Sequence, residues 1–289
     1  MKFGFIQEHS REYPVAVMCE LLEVSRGGYY AWTACQGAEP GPRRKKSQEL
    51  LEKIRQVHEQ SRRTYGSPRV YQELKAQGQS VCENTVARLM RQAQIRSVVC
   101  KRFRVRTTDS SHRHPVASNL LERCFQRELP NQAWCADITY VATGEGWLYL
   151  SAVIDLCSRK IVGWAMADHL RAELCEEALE MAISRRKPEG ELLHHSDRGV
   201  QYACEDYQRM LEQWGMVCSM SGRGDCYDNA VMESFFKTLK AEMIYQRIFA
   251  TRAEAVGAIF EYIEVFYNRQ RRHSSLGYKS PEEFETELN

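Results

Sequence analysis

Three acidic residues stand in local contexts that suit the edge of a metal site. Asp137 lies in Trp134-Cys-Ala-Asp137-Ile-Thr-Tyr140, and Asp197 in His194-His-Ser-Asp197-Arg-Gly-Val-Gln-Tyr202. Glu233 lies in Tyr227-Asp-Asn-Ala-Val-Met-Glu233-Ser-Phe-Phe236, with 35 residues between it and Asp197. Three carboxylates gathered by folding can hold two divalent cations, and such a pair can clamp both oxygens of a phosphoryl transfer. With 38 acidic residues in 289, chance triples are common, so the local contexts carry the inference rather than the interval. An all-carboxylate donor set suits hard cations such as Mg²⁺ or Mn²⁺ better than zinc.

The elements that must position these acids can be read from periodicity. From residue 131 the apolar pattern has period two, which predicts strands over Gln132–Val141, Trp147–Asp155 and Ile161–Ala167. A helix over Arg171–Arg186, a short strand Glu191–His195, a helix around Ala203–Trp214 and a strand Gly215–Met220 follow. A Gly-rich loop, Ser221-Gly-Arg-Gly-Asp225, leads into a helix beginning near Asp228. The order βββαβαβα is that of a ribonuclease-H-like α/β fold, a mixed sheet flanked by helices. Asp137 then falls in mid-strand, where a charge is costly unless it is paired or bound to metal. Asp197 projects from a strand's carboxyl end, where ligands of open α/β sheets gather. At 100° per residue along Asn229–Met243, Glu233 shares a helix face with Asn229, Lys237 and Lys240. Val231, Met232, Phe235, Phe236, Leu239 and Met243 occupy the opposite face. Taken alone, that helix would be an ordinary surface one with an i,i+4 Glu–Lys pair. Asn229 either caps this helix or orients Glu233, the cap being the preferred reading.

The net charge of +2 conceals a polarised chain. Residues 1–116 carry 21 Lys and Arg against 11 Asp and Glu, while the remainder carries 19 against 27. A basic half attracts a polyanion and an acidic half can gather cations. The first hundred residues read as helices: Val15–Leu22, a segment after Ser25, Gln48–Gln60, a helix from Pro68 to Lys75, and Thr85–Ala93 capped by Asn84. Residues 36–47 read as a Gly/Pro/basic break. Helix, short Gly-containing turn and helix with outward Arg88 and Arg91 is the pattern of a helix-turn-helix DNA reader. Beyond it, Lys101, Arg102 and Arg104 lie in a basic, apolar-poor linker that either tracks a phosphate backbone or is simply a solvated connection.

Eleven cysteines with no close Cys-x-x-Cys pair read as free, mostly buried thiols. The spacing of His112, His114, Cys124 and Cys135 matches no usual structural zinc site. No run of 18 apolar residues and no signal-peptide start is present, so a cytoplasmic protein with no membrane span is expected.

Together, Trp134…Asp137-Ile-Thr-Tyr, Gly146-Trp-Leu-Tyr-Leu150, Val153-Ile-Asp-Leu-Cys-Ser-Arg159, the Asp197 and Glu233 motifs and Asn268…Arg272-His-Ser-Ser-Leu-Gly277 resemble the second open-reading-frame product (OrfB) of insertion-sequence transposases. These are relatives of retroviral integrases with an Asp-Asp-Glu core. Arg62-Arg-Thr-Tyr-Gly-Ser-Pro-Arg69 and Asn84-Thr-Val-Ala-Arg-Leu-Met90 resemble the family's helix-turn-helix module, so the likeness spans nearly the full chain. It implies an N-terminal helical segment at 1–46, a helix-turn-helix-like domain at 47–98, a basic linker at 99–120, and a ribonuclease-H-like domain with a helical tail at 121–289.

The resemblance further implies that Asp137, Asp197 and Glu233 coordinate two Mg²⁺ or Mn²⁺ ions per site, cleave the element end to a 3′-OH and drive strand transfer. The expected DNA contacts are Lys240, Lys237, Arg198, His195, Arg62, Arg63, Arg69, Arg88, Arg91, Lys101, Arg102 and Arg104. Roles for Arg271, Arg272 and His273 stay open between DNA binding and docking of the tail. Expected partners are double-stranded DNA (terminal inverted repeats and target), further copies of the chain on DNA, and an upstream OrfA protein or fusion. A structure-specific nuclease on the same fold and a catalytically inert DNA-binding regulator are the alternatives.

Overall fold

The structure, a computed structural model, describes residues 1–37, 41–98, 115–222 and 226–288. The chain opens with helices α1 (Lys2–Glu8), α2 (Val15–Leu21) and α3 (Arg26–Gly37), which close around Ile6, Met18, Cys19 and Tyr29. Ser25 caps α3 by accepting a hydrogen bond from the Gly28 amide.

Helix α4 (Pro42–Gln60) starts earlier than its apolar periodicity suggests and absorbs the basic run that reads as a break. Pro42 sits in its first turn, where no amide is needed, and Arg and Lys are good helix formers. Pro68 likewise opens α5 (Ser67–Ala76) in its first turn. After a turn through Gly78, whose φ of 76° suits glycine, α6 (Glu83–Gln92) follows. Cys82, not Asn84, is the N-cap residue of α6, and Asn84 lies within the helix.

Five strands form one mixed sheet: β1 (Ala133–Thr143), β2 (Gly146–Asp155), β3 (Ile161–Ala167), β4 (Leu192–Ser196) and β5 (Met216–Met220), in the order β3-β2-β1-β4-β5. The β1–β2 and β2–β3 pairs are antiparallel, while β1–β4 and β4–β5 are parallel. Helices α7 (Glu173–Arg186), α8 (Val200–Ala203) and α9 (Glu205–Gln213) cover one face, burying Leu174, Ala178, Tyr202 and Tyr207 against Trp134, Ala136 and Val153. Helix α7 comes down on β3 at Gly163, where an added Cβ would lie 2.1 Å from the Ala178 carbonyl oxygen.

The other face is covered by α10 (Ala230–Glu242) and α11 (Arg252–Glu261), and a π-helical turn (Tyr262–Tyr267) continues α11. Thr251 caps α11 by accepting from the Glu254 amide, as its capping box predicts. The Glu254 carboxylate returns to the Ala250 amide. Helix α12 (Pro281–Leu288) ends the chain through Glu285, which meets Ser158, Lys160 and Arg186.

The apolar core on this second face does not stop at the sheet. Ile54, Val57, Tyr65, Val70, Leu74, Val86, Leu89 and Met90 of α4–α6 belong to the same buried cluster as Cys135, Leu150, Met232, Phe235, Tyr262 and Phe266. The helix-turn-helix-like unit is therefore packed onto the sheet-bearing half. Among the described residues, no helix is long and apolar enough to cross a membrane. Cys19, Cys135, Cys157 and Cys175 are buried free thiols, whereas Cys82 and Cys124 are exposed.

Candidate active site

The register of β1 against β4 brings the two aspartates side by side. Cys135 pairs with His195, and two residues further along each parallel strand come Asp137 and Asp197. Neighbouring strands lie about 4.8 Å apart, so Asp137 in the middle of β1 stands beside Asp197, just past the end of β4. Each is steered by a local amide: Asp137 Oδ1 accepts from Ile138 N and Asp197 Oδ1 from Gly199 N, both at 2.8 Å. A Cβ on residue 199 would come 2.9 Å from that Asp197 oxygen, which accounts for the glycine.

Glu233 sits in the first turn of α10, on the side opposite the buried Met232, Phe235, Phe236 and Leu239. That division matches the helical-wheel expectation.

Electrostatics tie the three acids together. Loss of water raises Asp137 well above the usual carboxylate range, and the charges of Asp197 and Glu233 raise it further. The Ile138 amide and Lys240 oppose that rise. Desolvation also raises Glu233. Lys240, half-buried, lies 4.8 Å over the Tyr140 ring; burial lowers its pKa while Asp137 holds it up. Among the described residues, no three His, Cys, Asp or Glu side chains close around a single ion. The acids thus share one electrostatic neighbourhood without forming a finished ligand cage.

The surrounding residues divide into those that face solvent and those that hold the frame. Lys237 is exposed on α10, and the i,i+4 ion pair with Glu233 that spacing permits is not formed. Arg198 is half-buried and donates to the Ser221 carbonyl, fixing the loop before α10. His195, expected to touch DNA, is instead fully buried between Ser219 Oγ at 2.9 Å and Ser221 Oγ at 3.1 Å. Burial lowers its pKa to about 4, so it is a neutral core histidine.

Asn229 makes no side-chain cap bond; its Nδ2 donates to Ala136 O at 3.3 Å and ties the start of α10 to the strand that carries Asp137. Asp228 accepts from Asn119, Arg123 and the Gly222 amide. Despite desolvation, the Gly222 amide and Arg123 hold it below the usual carboxylate range.

The expected DNA-binding arginines of the first half also separate. Arg88 and Arg91 are exposed on the outer face of α6, and Arg63 is exposed but bonded to Glu59. Arg62 turns inward: it pairs with Glu261 and lies 4.7 Å over the Phe266 ring. Arg69 faces α10, with Glu242 Oε1 at 4.0 Å. Lys101, Arg102 and Arg104 lie outside the described residues, as do His112 and His114.

The tail residues that the sequence leaves open are docking groups. Arg271 donates to both Glu242 oxygens at 2.7 and 2.8 Å, and Arg272 meets Glu73 Oε2 at 2.6 Å and the Tyr278 carbonyl. His273 is buried, and desolvation beside Arg271 pushes its pKa well below the ordinary value. Tyr65 of the helix-turn-helix-like unit donates to Gln270 O and accepts from Arg272 N.

Two acids that motif reading passes over are structural hubs. Asp155 accepts from the amides of Asn131, Cys157 and Ser158 and from the Trp134 indole. Glu242 gathers Arg271 and Tyr262. For Asp155 the available signal was its place at the end of a buried strand, within Val153-Ile-Asp-Leu-Cys-Ser-Arg159; for Glu242 there was none, because its partners lie on other elements.

A mixed sheet in this order, with one acid in its central strand, one at the end of the neighbouring strand and one on the facing helix, defines a ribonuclease-H-like polynucleotidyl transferase core. Models of known families agree: an integrase core domain matches residues 127–226, a second integrase core model matches 233–288, and an HTH-like domain matches 45–103. The chain is 46% identical over 267 residues to the Insertion element IS600 uncharacterized 31 kDa protein of Shigella sonnei, covering 92% of this chain and 97% of that protein. It is 42% identical over 286 residues to Transposase InsF for insertion sequence IS3A of Escherichia coli (strain K12), covering 99% of this chain and 98% of that protein. Among solved structures, it is similar to a simian T-cell lymphotropic virus intasome in complex with PP2A regulatory subunit B56 gamma, at 13% identity and a TM-score of 0.47, over 80% of this chain and 74% of that chain. The chain belongs to the IS3 family of insertion-sequence transposases, enzymes of DNA transposition built on an integrase core.

Proposed function

We propose that Asp137, Asp197 and Glu233 are the catalytic, metal-holding acids of DNA cleavage and strand transfer at insertion-element ends. The observation that carries this reading is the coupling of Asp137 to both Asp197 and Glu233, with Lys240 as the cation opposing them. A site with more negative than positive charge, built from hard oxygen donors, fits Mg²⁺ or Mn²⁺, two per site. When bound, such a pair supplies Lewis-acid stabilisation to the attacking and leaving oxygens of an in-line displacement. The chain's own contribution is placement. The Ile138 and Gly199 amides aim the two aspartates, Asn229 ties α10 to β1, and Lys240 is positioned to hold a DNA phosphate near Asp137.

In this reading residues 47–98 recognise duplex DNA, with Arg88 and Arg91 on the outward face of α6, and residues 121–289 perform the chemistry. Assembly of several copies on terminal inverted repeats and target DNA, joined by an upstream OrfA protein or fusion, belongs to the same proposal. Family membership supports it.

The test is incubation with Mg²⁺ and duplex DNA carrying the element's terminal repeat, resolved on sequencing gels. Nicks with free 3′-OH groups and strand-joined products are expected. Asp137→Asn, Asp197→Asn and Glu233→Gln should each reduce them by about a thousandfold, or about 4 kcal/mol of transition-state stabilisation. Wild-type rates in any of the three would sink the assignment.

A further inference from the structure

We propose that the cleft between α5 and α10 is a binding site for one phosphodiester group of the DNA strand that runs from the helix-turn-helix-like unit to the catalytic acids. This rests on the transposase reading above and adds a specific anion site to it. The cleft has a volume of about 390 Å³. Arg69 and Ser97 line one wall and Ser234, Lys237, Thr238 and Glu242 of α10 the other.

Its charge does not balance. Glu242 is the one carboxylate lining the cleft, and Arg271 already takes both of its oxygens. Arg69 has a long ion pair with Glu242 Oε1 at 4.0 Å, beyond hydrogen-bonding distance, and lies 5.7 Å over the Tyr65 ring. Lys237 pairs with no acidic side chain among the described residues. The neighbouring acids at this junction are committed elsewhere, Glu73 to Arg272 and Glu261 to Arg62. Two cations therefore face a partly desolvated space in which one further anion would satisfy both.

Shape and place select the anion. A guanidinium, an ammonium and three hydroxyl groups make a donor set for tetrahedral oxygens, and an arginine fork matches phosphate geometry. Ser234, Lys237 and Thr238 lie within about one and a half helical turns of Glu233, about 7.5 Å of rise at most. The opposite wall is continuous with α5 and the segment that follows α6. A backbone phosphate held here would thus lie between the DNA-reading helices and the acids, setting how far the bound end reaches into the site.

The experiment uses the full chain and element-end duplexes in which single phosphates are replaced, one at a time, by neutral methylphosphonates. Binding is followed by fluorescence anisotropy across a salt series. For wild type, neutralising one particular phosphate should weaken binding about tenfold, the worth of a charge-assisted hydrogen bond. In Lys237→Ala that position should become indifferent while other sensitive positions persist, and the salt slope should fall by about one. Arg69→Gln should show the same loss of position sensitivity. Thr238→Val, which keeps both cations, supplies a variant that does not disturb the docked arginines and should weaken binding at that same position alone. If Lys237→Ala and Arg69→Gln lower affinity equally for every methylphosphonate, the site is refuted. Wild-type cleavage of the unmodified duplex in Mg²⁺ separates the two claims: cutting without a coupled phosphate overturns only the cleft, and a coupled phosphate without cutting overturns only the catalytic reading.

Discussion

Replacing Glu242 by Gln should be among the most damaging single changes in the molecule, although it lies outside the proposed catalytic acids. The Glu242 and Arg271 side chains are 9% and 5% exposed, and they meet through two bonds of 2.7 and 2.8 Å. The Tyr262 hydroxyl adds a third at 2.7 Å. Glutamine keeps the shape and one acceptor but removes the charge, leaving Arg271 beside Arg69 with no counter-ion in their pocket. Desolvation opposes the charge on Arg271, but Glu242 raises its pKa above the usual arginine value, so this guanidinium stays charged. Breaking a buried pair by removing one partner costs about 3–5 kcal/mol. The retained acceptor places Glu242→Gln near the lower end of that range. Urea unfolding at pH 7 would measure it, with Arg271→Met and the Glu242→Met/Arg271→Met double variant beside it. The double variant should cost less than the sum of the singles, because it strands no charge. A loss below about 1 kcal/mol in Glu242→Gln, or strict additivity in the cycle, would refute the buried-pair reasoning.

Gly163→Ala should destabilise by about 3 kcal/mol or more, since its new methyl meets helix backbone and cannot be relieved by a side-chain rotation. The contacts are 2.1 Å to Ala178 O and 2.7 Å to Ala182 N, and a wild-type melting temperature would contradict them. Acid sensitivity should follow from the histidines beside Asp197. Burial lowers His194 to about 3 and His195 to about 4, so the unfolded chain binds protons first and stability falls as pH drops from about 6.5 towards those values. His195→Gln should flatten the dependence near pH 5 by about 1.2 kcal/mol per pH unit, and an unchanged slope in urea titrations at several pH values would argue against a buried neutral ring.

What could be read from the sequence depended on the range of the interaction. The period-two runs locate β1, β2 and β3 within a residue or two, because alternation is imposed locally by the two faces of a sheet. The split of α10 into a buried stripe and a face bearing Glu233 was equally legible, since a helix repeats its geometry every few residues. Asn84 misled because asparagine is a good cap in isolation, yet Cys82 precedes the first turn of α6. Asn229 does hold the N-cap position of α10, but its side-chain amide bonds to Ala136 of β1 instead of to the helix. His195 sits in a motif that looks exposed beside Asp197, yet strand alternation and the serines of β5 and the loop beyond it enclose it. The predicted relation of Asp137 to Asp197 follows from parallel register alone, which no local pattern can supply.

The arginines show how one residue type can serve two ends of the same machine. Arg88 and Arg91 stay on the outer face of α6, where a duplex can reach them, while Arg62 and Arg272 are spent on Glu261 and Glu73 between the two halves of the chain and Arg271 ties the tail to Glu242 of α10. Those ion pairs would contribute little if they merely decorated the surface. Here they sit on a continuous apolar core from Ile54 and Leu74 through Phe266 to Cys135, so the orientation they select is held by packing as well as charge. A DNA end bound on α6 would consequently be presented to Glu233 along a fixed path rather than through a flexible tether. Glu242 marks the point where that path is set: it lies on the helix that carries Glu233, and through Arg271 and Arg69 it connects that helix to the tail and to α5.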